Sequence, residues 1–474
     1  MGKLRQPIPL LKMSIDVLLM LLLEHCEYIA AADGSAKDVS RYIVIFRDKI
    51  CRYMPWYLLA DFCRTFLDKF HSIPRLSDHR EAALEIVMDI EIRGLRFEGP
   101  MTAYLAPCDA HRMRELTALD MVGSWTSNYD MTDILQLLHL TELTSFKQWD
   151  CTDRALEIIG RECPKLEILC LPGSNRVTDI GLRNLTRCSS LRYVDVSESM
   201  VTRQGVNHLL STNSKIDTLL CSEVRFEYRS SILSFLDPFV YPSMKSLVIR
   251  SSEPFTSAHL NRIVAKFPNL TSIRIYSAIT GDLNALESLG KLKVIELDYG
   301  YYDEPLSSRL VSAVTWNNME QLLRLIGTNI TTLKLGMYER SFYFRQLHLN
   351  FMFNCCPNIE YLEFLLAGTG RWFVPSFQKL KELKCHQPDV DTTDEDPLAV
   401  VEFDTMPALE TLWLTGVQDL NLNHLVFDHK KFPNLTVLEI MIPNNLHVLA
   451  EIREMIKINN LDFEIRDYRD HWYE

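Results

Sequence analysis

The sequence predicts an α/β fold in which one strand-and-helix unit repeats and builds a curved parallel sheet with outer helices. Three observations predict it: an apolar motif that recurs at similar spacing, helix-like stretches between its copies, and prolines just before many copies. The repeat occupies residues 111–474, whereas residues 1–110 lack it and are expected to form a small all-α module. Such a fold grows by stacking neighbouring units, so its length does not imply several compact domains.

The repeated motif is an aliphatic residue, two variable residues, an apolar residue, one variable residue and another apolar residue. Its first positions are Leu116, Leu143, Leu166, Leu191, Ile216, Met244, Leu270, Leu292, Ile330, Ile359, Leu380, Leu409 and Leu435. The mean step is roughly 27 residues, within the range of about 20–29 residues that is typical of leucine-rich repeats. Among the motif residues only Gln148 is not apolar. The spacing therefore predicts a leucine-rich-repeat solenoid of about 13 repeats.

Each repeat is expected to contain a strand followed by a helix. In the copy that begins at Leu166, Leu169 and Leu171 fall on one face of a strand and Cys170 on the other. Leu182 and Leu185, three residues apart, indicate the helix that follows. Proline cannot continue a helix, so a proline two residues before a motif marks the end of one helix and the approach to the next strand. Prolines occupy this position at Pro164, Pro242, Pro268, Pro357, Pro407 and Pro433.

One stretch resembles a unit of the cysteine-containing leucine-rich-repeat subfamily. It runs from Cys163-Pro164 through Thr178-Asp179 to Cys188, and Thr178 or Asp179 is expected to cap the following helix. Later repeats are less regular. An insertion between Leu292 and Ile330 is expected to hold a longer helix over residues 306–326, and an acidic insertion near 389–404 is expected to be a mobile loop.

The N-terminal module resembles the elongin-binding box of VHL-box substrate receptors over Ser14–Leu22, although Leu19 stands where a small residue is expected. Met54–Phe62 resembles the apolar-proline element before a cullin-facing helix, and also the start of an F-box. The resemblance implies a substrate receptor of a cullin-type ubiquitin ligase, bound to elongin or an F-box-type adaptor. The adaptor-binding residues would then be Ile15, Leu18, Leu22, Met54, Pro55 and Leu58. The alternative is a leucine-rich-repeat scaffold in which these helices only cap the solenoid.

A protein substrate is expected on the concave strand face, where leucine-rich-repeat solenoids usually bind their partners. The variable residue between the last two apolar positions of each motif points to this face, as does the residue two positions further on. The candidate substrate-binding residues are Asp195, Arg274, Tyr276, Glu296, Asp298, Lys334, Glu363, Lys384, Trp413 and Glu439. Arg, Tyr and Trp contribute most to interface energy when they are desolvated, which favours Arg274, Tyr276 and Trp413 as anchors.

The composition argues against several other functions. With 50 basic and 62 acidic residues the net charge is −12, which disfavours a broad contact with nucleic-acid phosphates. No phosphate-binding loop, nucleophile elbow, His-Glu-x-x-His or paired Cys-x-x-Cys motif occurs, so we expect neither an enzyme nor a cofactor or metal. The pair Cys108 and His111 lacks a second pair at zinc-finger distance.

The cysteines and the N-terminal apolar run bear on location. Twelve cysteines are spread along the chain, which suits buried thiols in a reducing compartment, cytoplasmic or nuclear. The run Val17–Leu23 is too short to span a bilayer, so no membrane contact is expected. With Lys3 and Arg5 before it, the run also resembles a signal peptide, which leaves a secreted repeat protein as a second alternative.

Overall fold

A computed structural model describes parts of the chain between residues 94 and 467. The described residues are 94–98, 116–122, 139–222, 240–250, 255–277, 279, 281–299, 308–337, 346–365, 371–386, 400–415, 431–441, 454 and 464–467. They fall in two compact units, one within residues 7–239 and one within residues 240–474. The predicted adaptor-binding residues Ile15, Leu18, Leu22, Met54, Pro55 and Leu58 lie outside the described residues, as does the predicted helical module apart from 94–98.

The first unit contains a parallel sheet whose strands follow one another in chain order. Its strands are β1 (Gly94–Glu98), β2 (Ala118–Val122), β3 (Ser145–Gln148), β4 (Ile168–Cys170), β5 (Tyr193–Asp195) and β6 (Thr218–Ser222). Each pairs in parallel with the next. Because β1 pairs with β2, the described part of the sheet includes Gly94–Glu98, a strand that the repeat pattern did not identify.

Three helices of the first unit begin at threonines. The helices are α1 (Asp153–Glu162), α2 (Asp179–Arg183) and α3 (Arg203–Thr212). The hydroxyl groups of Thr152, Thr178 and Thr202 accept hydrogen bonds from backbone N–H groups of the first turn of these helices. Each threonine thereby satisfies one of the N–H groups that a helix start leaves without an intrahelical partner.

Aspartates at the first helical position link each of these helix starts to the next. The Asp153 carboxylate accepts from the Thr178 N–H at 2.7 Å, the Thr178 hydroxyl at 2.6 Å and the Gly181 N–H at 3.0 Å. Asp179 accepts from the Thr202 N–H at 2.7 Å and the Thr202 hydroxyl at 2.5 Å. Thr178 therefore caps its own helix, whereas Asp179 bonds to the start of the helix in the next coil. We call this series the threonine–aspartate ladder.

Glycine is required where the ladder passes close to the backbone. A Cβ atom at Gly181 would lie 2.4 Å from Asp153 Oδ1, and one at Gly205 would lie 2.2 Å from Asp179 Oδ1. Both separations are far below van der Waals contact. Gly181 and Gly205 each lie three residues after a capping threonine. Only glycine, which has no Cβ atom, fits at this position, because the helix starts of neighbouring coils stack so closely.

The second unit contains a longer parallel sheet. Its strands are β7 (Ser246–Arg250), β8 (Ser272–Tyr276), β9 (Val294–Tyr299), β10 (Thr332–Met337), β11 (Tyr361–Leu365), β13 (Glu382–His386), β15 (Thr411–Thr415), β16 (Val437–Met441) and β17 (Glu464–Asp467). A separate parallel pair is formed by β12 (Arg371–Val374) and β14 (Val400–Phe403). The acidic insertion near 389–404 is therefore not wholly a loop, because its end pairs as a strand. Residues 387–399 lie outside the described residues.

The helices of the second unit are α4 (Ser257–Lys266), α5 (Ser308–Ile326) and α6 (Gln346–Cys355). Helix α5 spans 19 residues and confirms the longer helix predicted for the insertion between Leu292 and Ile330. Trp316 of α5 stacks on His348 of α6 with ring centroids 4.1 Å apart, and both side chains are buried. No helix within the described ranges combines the length and apolar character needed to cross a membrane.

The motif leucines form the core of both units. In each of the thirteen motif copies the first residue is followed by a strand of the long parallel sheet, which confirms the leucine-rich-repeat fold. Leu169 and Leu171 in the first unit and Leu362 and Phe364 in the second are fully buried. Stacking parallel strands brings such residues into continuous rows that exclude water. Gln148 occupies a motif position and is also buried, at 6% exposure.

Asparagines before the motif connect neighbouring coils of the second unit. Their side-chain amides donate to backbone carbonyls of the preceding coil. The pairs are Asn269 to Pro242 at 3.0 Å, Asn358 to Thr328 at 2.7 Å and Asn434 to Pro407 at 2.6 Å. Asn358 also accepts from the Lys379 ammonium at 2.6 Å. We call these contacts the asparagine ladder.

Candidate functional site

The strand face of the second unit presents one row of side chains that the parallel register aligns. Successive partners in the row are Val248, Arg274, Glu296, Lys334, Glu363, Lys384, Trp413 and Glu439. Neighbouring strands lie about 4.8 Å apart, so side chains of opposite charge meet along the row. We call it the central row. From Arg274 to Glu439 it alternates basic and acidic residues, with Trp413 between Lys384 and Glu439.

One end of the central row is built around the Arg274–Glu296 ion pair. The Arg274 Nε atom lies 2.9 Å from a Glu296 carboxylate oxygen, and the Tyr276 hydroxyl donates to the other oxygen at 3.4 Å. The Arg250 guanidinium lies over the Tyr276 ring at 4.9 Å from its centroid. Burial raises the pKa of Tyr276, and the Glu296 charge raises it further, so the hydroxyl stays protonated as a donor.

The middle of the row is organised by the Glu363 carboxylate. It lies 3.0 Å from the Lys334 ammonium and 3.5 Å from His386 Nε2, and it accepts a hydrogen bond from the Tyr361 hydroxyl. Burial favours the neutral acid, but the hydrogen bonds from His386 and Tyr361 and the Lys334 charge outweigh it and lower the pKa of Glu363 to about 2. Glu363 is therefore a buried, charged acceptor at neutral pH.

Lys384 and Trp413 form the next contact along the row. The Lys384 ammonium lies 3.8 Å from the centroid of the Trp413 ring, 5.7 Å from that of Tyr361 and 3.1 Å from a Glu382 carboxylate oxygen. An ammonium over an indole face is attracted by the ring quadrupole. The structure thus places a cation and an aromatic ring side by side on the strand face.

The corresponding row of the first unit is shorter and less charged. The register aligns Asp120, Lys147, Cys170, Asp195 and Leu220. Lys147 lies 3.9 Å from Asp120. Asp195 is nearly covered, at 7% exposure, and accepts from the Ser197 N–H at 2.9 Å and the Cys170 thiol at 3.5 Å.

The predicted substrate-binding residues fall mainly on these rows. The structure brings together seven of them in the central row: Arg274, Glu296, Lys334, Glu363, Lys384, Trp413 and Glu439. Tyr276 and Asp298 are register partners in the flanking row, and the Asp298 side chain lies outside what the structure describes. Asp195 belongs to the other unit. Asp195, Glu363 and Glu439 are 7%, 8% and 1% exposed, so these three acids face the row without being open to a partner.

Four further residues on this face were not identified from the sequence. Arg250, Tyr361, Glu382 and His386 lie two positions before or after a central-row residue and contact the row or its flanking tyrosine. Their signal was available, because residues two apart on a strand share a face. The motif draws attention mainly to the central position of each strand, and these four positions lie outside it.

The described residues were compared with two requirements of reactive sites, a metal-binding cluster and an ionised thiol. Across the described ranges no group of three or more His, Cys, Asp or Glu residues is arranged to hold a metal ion. Burial raises the pKa of the Cys151, Cys163 and Cys356 thiols to about 12. Burial, reinforced by Asp195, does the same for Cys170. These thiols are protonated at neutral pH, and the thiolate is the nucleophilic form.

Comparisons with known proteins give fold-level likenesses only. No protein-family model matches the chain, and no curated protein matches it. A crystal structure of an internalin (inlF) from Listeria monocytogenes is 13% identical, covers 77% of this chain and 92% of its own, and has a TM-score of 0.31. A leucine-rich-repeat protein of Leptospira interrogans is 12% identical, covers 80% of this chain and 91% of its own, and has a TM-score of 0.32. At these values the fold assignment rests on the strand register itself.

Proposed function

We propose that this chain is a non-catalytic protein-recognition subunit, and specifically the substrate receptor of a cullin-type ubiquitin ligase. The strand face of the second unit would bind the substrate, and the N-terminal helices would bind the adaptor. The observation that carries the recognition role is the central row, where register places charged and aromatic side chains from Arg274 to Trp413 side by side. Arg, Tyr and Trp side chains are enriched among the residues that contribute most to binding at protein interfaces, which supports this role.

Substitution of Trp413 tests whether the strand face binds the protein partner. Truncating a central aromatic anchor of an interface typically weakens binding by about 2 kcal/mol or more, roughly 30-fold. We expect Trp413→Ala to weaken the binding of a co-purified protein partner to that extent, and Trp413→Phe to retain part of the affinity. The matched control is Leu347→Ala on α6, because Leu347 is 56% exposed on a different part of the same unit. Equal affinities of the Trp413→Ala variant and the parent chain would contradict the strand-face assignment.

The adaptor role rests on the resemblance of Ser14–Leu22 and Met54–Phe62 to a VHL-box module. An amphipathic helix presenting Ile15, Leu18 and Leu22 would dock into an adaptor groove by apolar burial. We expect elongin to co-purify with the chain and to be lost from the variant Leu18→Asp with Pro55→Ala. Leu347→Asp introduces the same charge elsewhere and should leave elongin bound. Absence of elongin and of an F-box-type adaptor from the parent chain would favour a repeat scaffold unrelated to ubiquitin.

A cytoplasmic or nuclear location belongs to the same proposal. Every cysteine within the described ranges is a free thiol, and most of them are buried, which supports a reducing compartment. The competing hypothesis is a secreted repeat protein with a cleaved signal peptide. Intact-mass measurement of the chain purified from its natural source distinguishes them: retention of residues 1–30 supports the proposal, and their loss contradicts it.

A further inference from the structure

The ion pairs of the central row are unequal in exposure. The Arg274 side chain is 40% exposed and its partner Glu296 is 13% exposed. The Lys334 side chain is 26% exposed and its partner Glu363 is 11% exposed. The acid therefore lies beneath the base in both pairs, so the groups that meet a partner first are cationic although the whole chain has a net charge of −12.

The two carboxylates are already engaged within the chain. Glu363 accepts from Lys334, Tyr361 and His386, and Glu296 lies against Arg274 and Tyr276. A guanidinium has five N–H donors and an ammonium three, more than one carboxylate contact occupies. The buried acids thus orient the bases, and the Arg274 guanidinium has more N–H donors than its contact with Glu296 uses, so it can also bind acceptors from a partner.

The exposed charges also differ along the row. Arg250 and Arg274 stand at the β7–β8 end, and Lys334 follows on β10. At the β13 end the Glu382 side chain is 37% exposed beside Lys384, which is 16% exposed. Among the described side chains, the cationic part of the face is therefore the stretch from β7 to β10, while the aromatic residue Trp413 lies beyond the Lys384–Glu382 pair.

From this arrangement we infer that the strand face from Arg250 to Lys334 binds an acidic, extended segment of the protein partner. This inference rests on the proposed recognition function and adds the chemistry of the ligand. Aspartate or glutamate side chains of such a segment would meet Arg274 and Lys334, and the half-buried Tyr276 ring beside Arg274 would contact the apolar part of the segment. Charge-assisted hydrogen bonds to carboxylates are about twice as strong as neutral ones, which favours this ligand over a neutral segment.

The test uses the full chain and an array of dodecamer peptides in which Asp and Glu content varies against Gln and Lys at fixed length. We expect binding to rise with Asp and Glu content, to be absent for the Lys-rich peptides, and to weaken as salt is added. Arg274→Gln should weaken the acidic peptides roughly tenfold or more. The control is Lys381→Gln, since Lys381 is an exposed base that pairs with Glu360 just before β13.

A second variant distinguishes a specific loss of binding from a loss of folding. Exchanging the pair, Arg274→Glu with Glu296→Arg, keeps both charges and should shift the preference of the array away from acidic peptides. Equal or tighter binding of neutral or basic peptides to the parent chain, or no binding of any peptide, would overturn the inference. If Trp413→Ala still weakens the binding of the co-purified protein partner, these results overturn only the inference about acidic peptides and not the proposed recognition function. The failure of the inference can therefore be distinguished from the failure of the proposed function.

Discussion

The two units are built from the same repeat but place their polar side chains differently. In the first unit the best-defined polar contacts lie at the helix starts, where Asp153 and Asp179 link successive coils. In the second unit they lie on the strand face, where Glu296 and Glu363 hold Arg274 and Lys334. Each unit has an apolar core built from the same motif residues.

This difference separates a structural use of polar groups from a recognition use. Helix starts must have their N–H groups satisfied, and the threonine–aspartate ladder does so between coils. A strand face has no such requirement, because its backbone groups are paired by the neighbouring strands. The more exposed pair on that face, Arg274–Glu296, adds little stability and is available for binding, whereas the buried Glu363 carboxylate also contributes to stability. Four measurements test this distinction, and they are given in order of expected effect.

The largest effect should be common to both units. Phe146 in the first unit and Phe364 in the second are fully buried. We expect Phe146→Ala and Phe364→Ala each to lower the free energy of unfolding by about 3–5 kcal/mol, because each leaves a cavity in the leucine rows. Urea denaturation of both variants measures this. A cost below about 1 kcal/mol for either variant would show that the two cores are not equivalent.

The threonine–aspartate ladder should matter more than its counterpart in the second unit. Asp153→Ala removes a charged acceptor of three hydrogen bonds and should cost about 2–3 kcal/mol. In the second unit Ser257→Ala removes a single acceptor, that for the Asp282 N–H at 2.8 Å, and should cost about 1 kcal/mol. Denaturation midpoints check both values, with Glu157→Ala on the exposed side of α1 as the control. Equal costs for Asp153→Ala and Glu157→Ala would show that the ladder adds nothing to stability.

The strand face of the second unit should make stability depend on acid pH. The pKa of Glu363 is about 2 when folded, below its ordinary value of 4.5. A lowered pKa contributes stability that is fully present above about pH 4.5 and is lost as the pH falls below it, by about 2–3 kcal/mol at pH 2.5. Glu363→Gln should remove this part of the pH dependence.

Denaturation of the parent chain and of Glu363→Gln at pH 6, 4 and 2.5 measures the difference. The two proteins should converge as the pH falls. A constant difference between them across this range would mean that the carboxylate is not held in its charged form by Lys334, His386 and Tyr361.

The asparagine ladder should have the smallest effect. Asn358→Ala removes the bond to the Thr328 carbonyl at 2.7 Å and the acceptor for Lys379, and should cost about 1 kcal/mol. Asn354→Ala, at an exposed position of α6, serves as the control and should change stability by less than about 0.5 kcal/mol. Thermal or urea midpoints suffice for the comparison. A loss of several kcal/mol would place these asparagines among the main determinants of the second unit.

Much of the fold could be predicted from the sequence because the repeat signal is local. The motif at Leu166 or Ile359 fixes both the strand and the face that is buried, and the spacing fixes the parallel order. The insertion between Leu292 and Ile330 predicted helix α5 correctly. Strand β14 was not predicted, because the acidic residues before Val400 indicated a loop and outweighed the β-branched pair Val400-Val401.

The site could be predicted only in part. Alternation along a strand tells which face a residue occupies, and it placed Arg274 and Lys334 correctly on the central row. It does not tell how deeply a side chain is covered, and Glu439 at 1% exposure shows the limit. Depth depends on neighbours from other coils, such as the pairing of Glu363 with Lys334 and His386. Such contacts join residues roughly one repeat apart and follow from stacking rather than from local sequence.

The most direct test of recognition by the strand face is side-chain footprinting with hydroxyl radicals on the chain with and without a co-purified protein partner. We expect binding to protect Tyr276, Tyr361 and Trp413 of the strand face, which are partly exposed. Phe353 and Phe373, which are 37% and 46% exposed at α6 and β12, should be oxidised equally in both states. Protection of Phe353 and Phe373 with unchanged oxidation of Tyr276, Tyr361 and Trp413 would contradict recognition by the strand face.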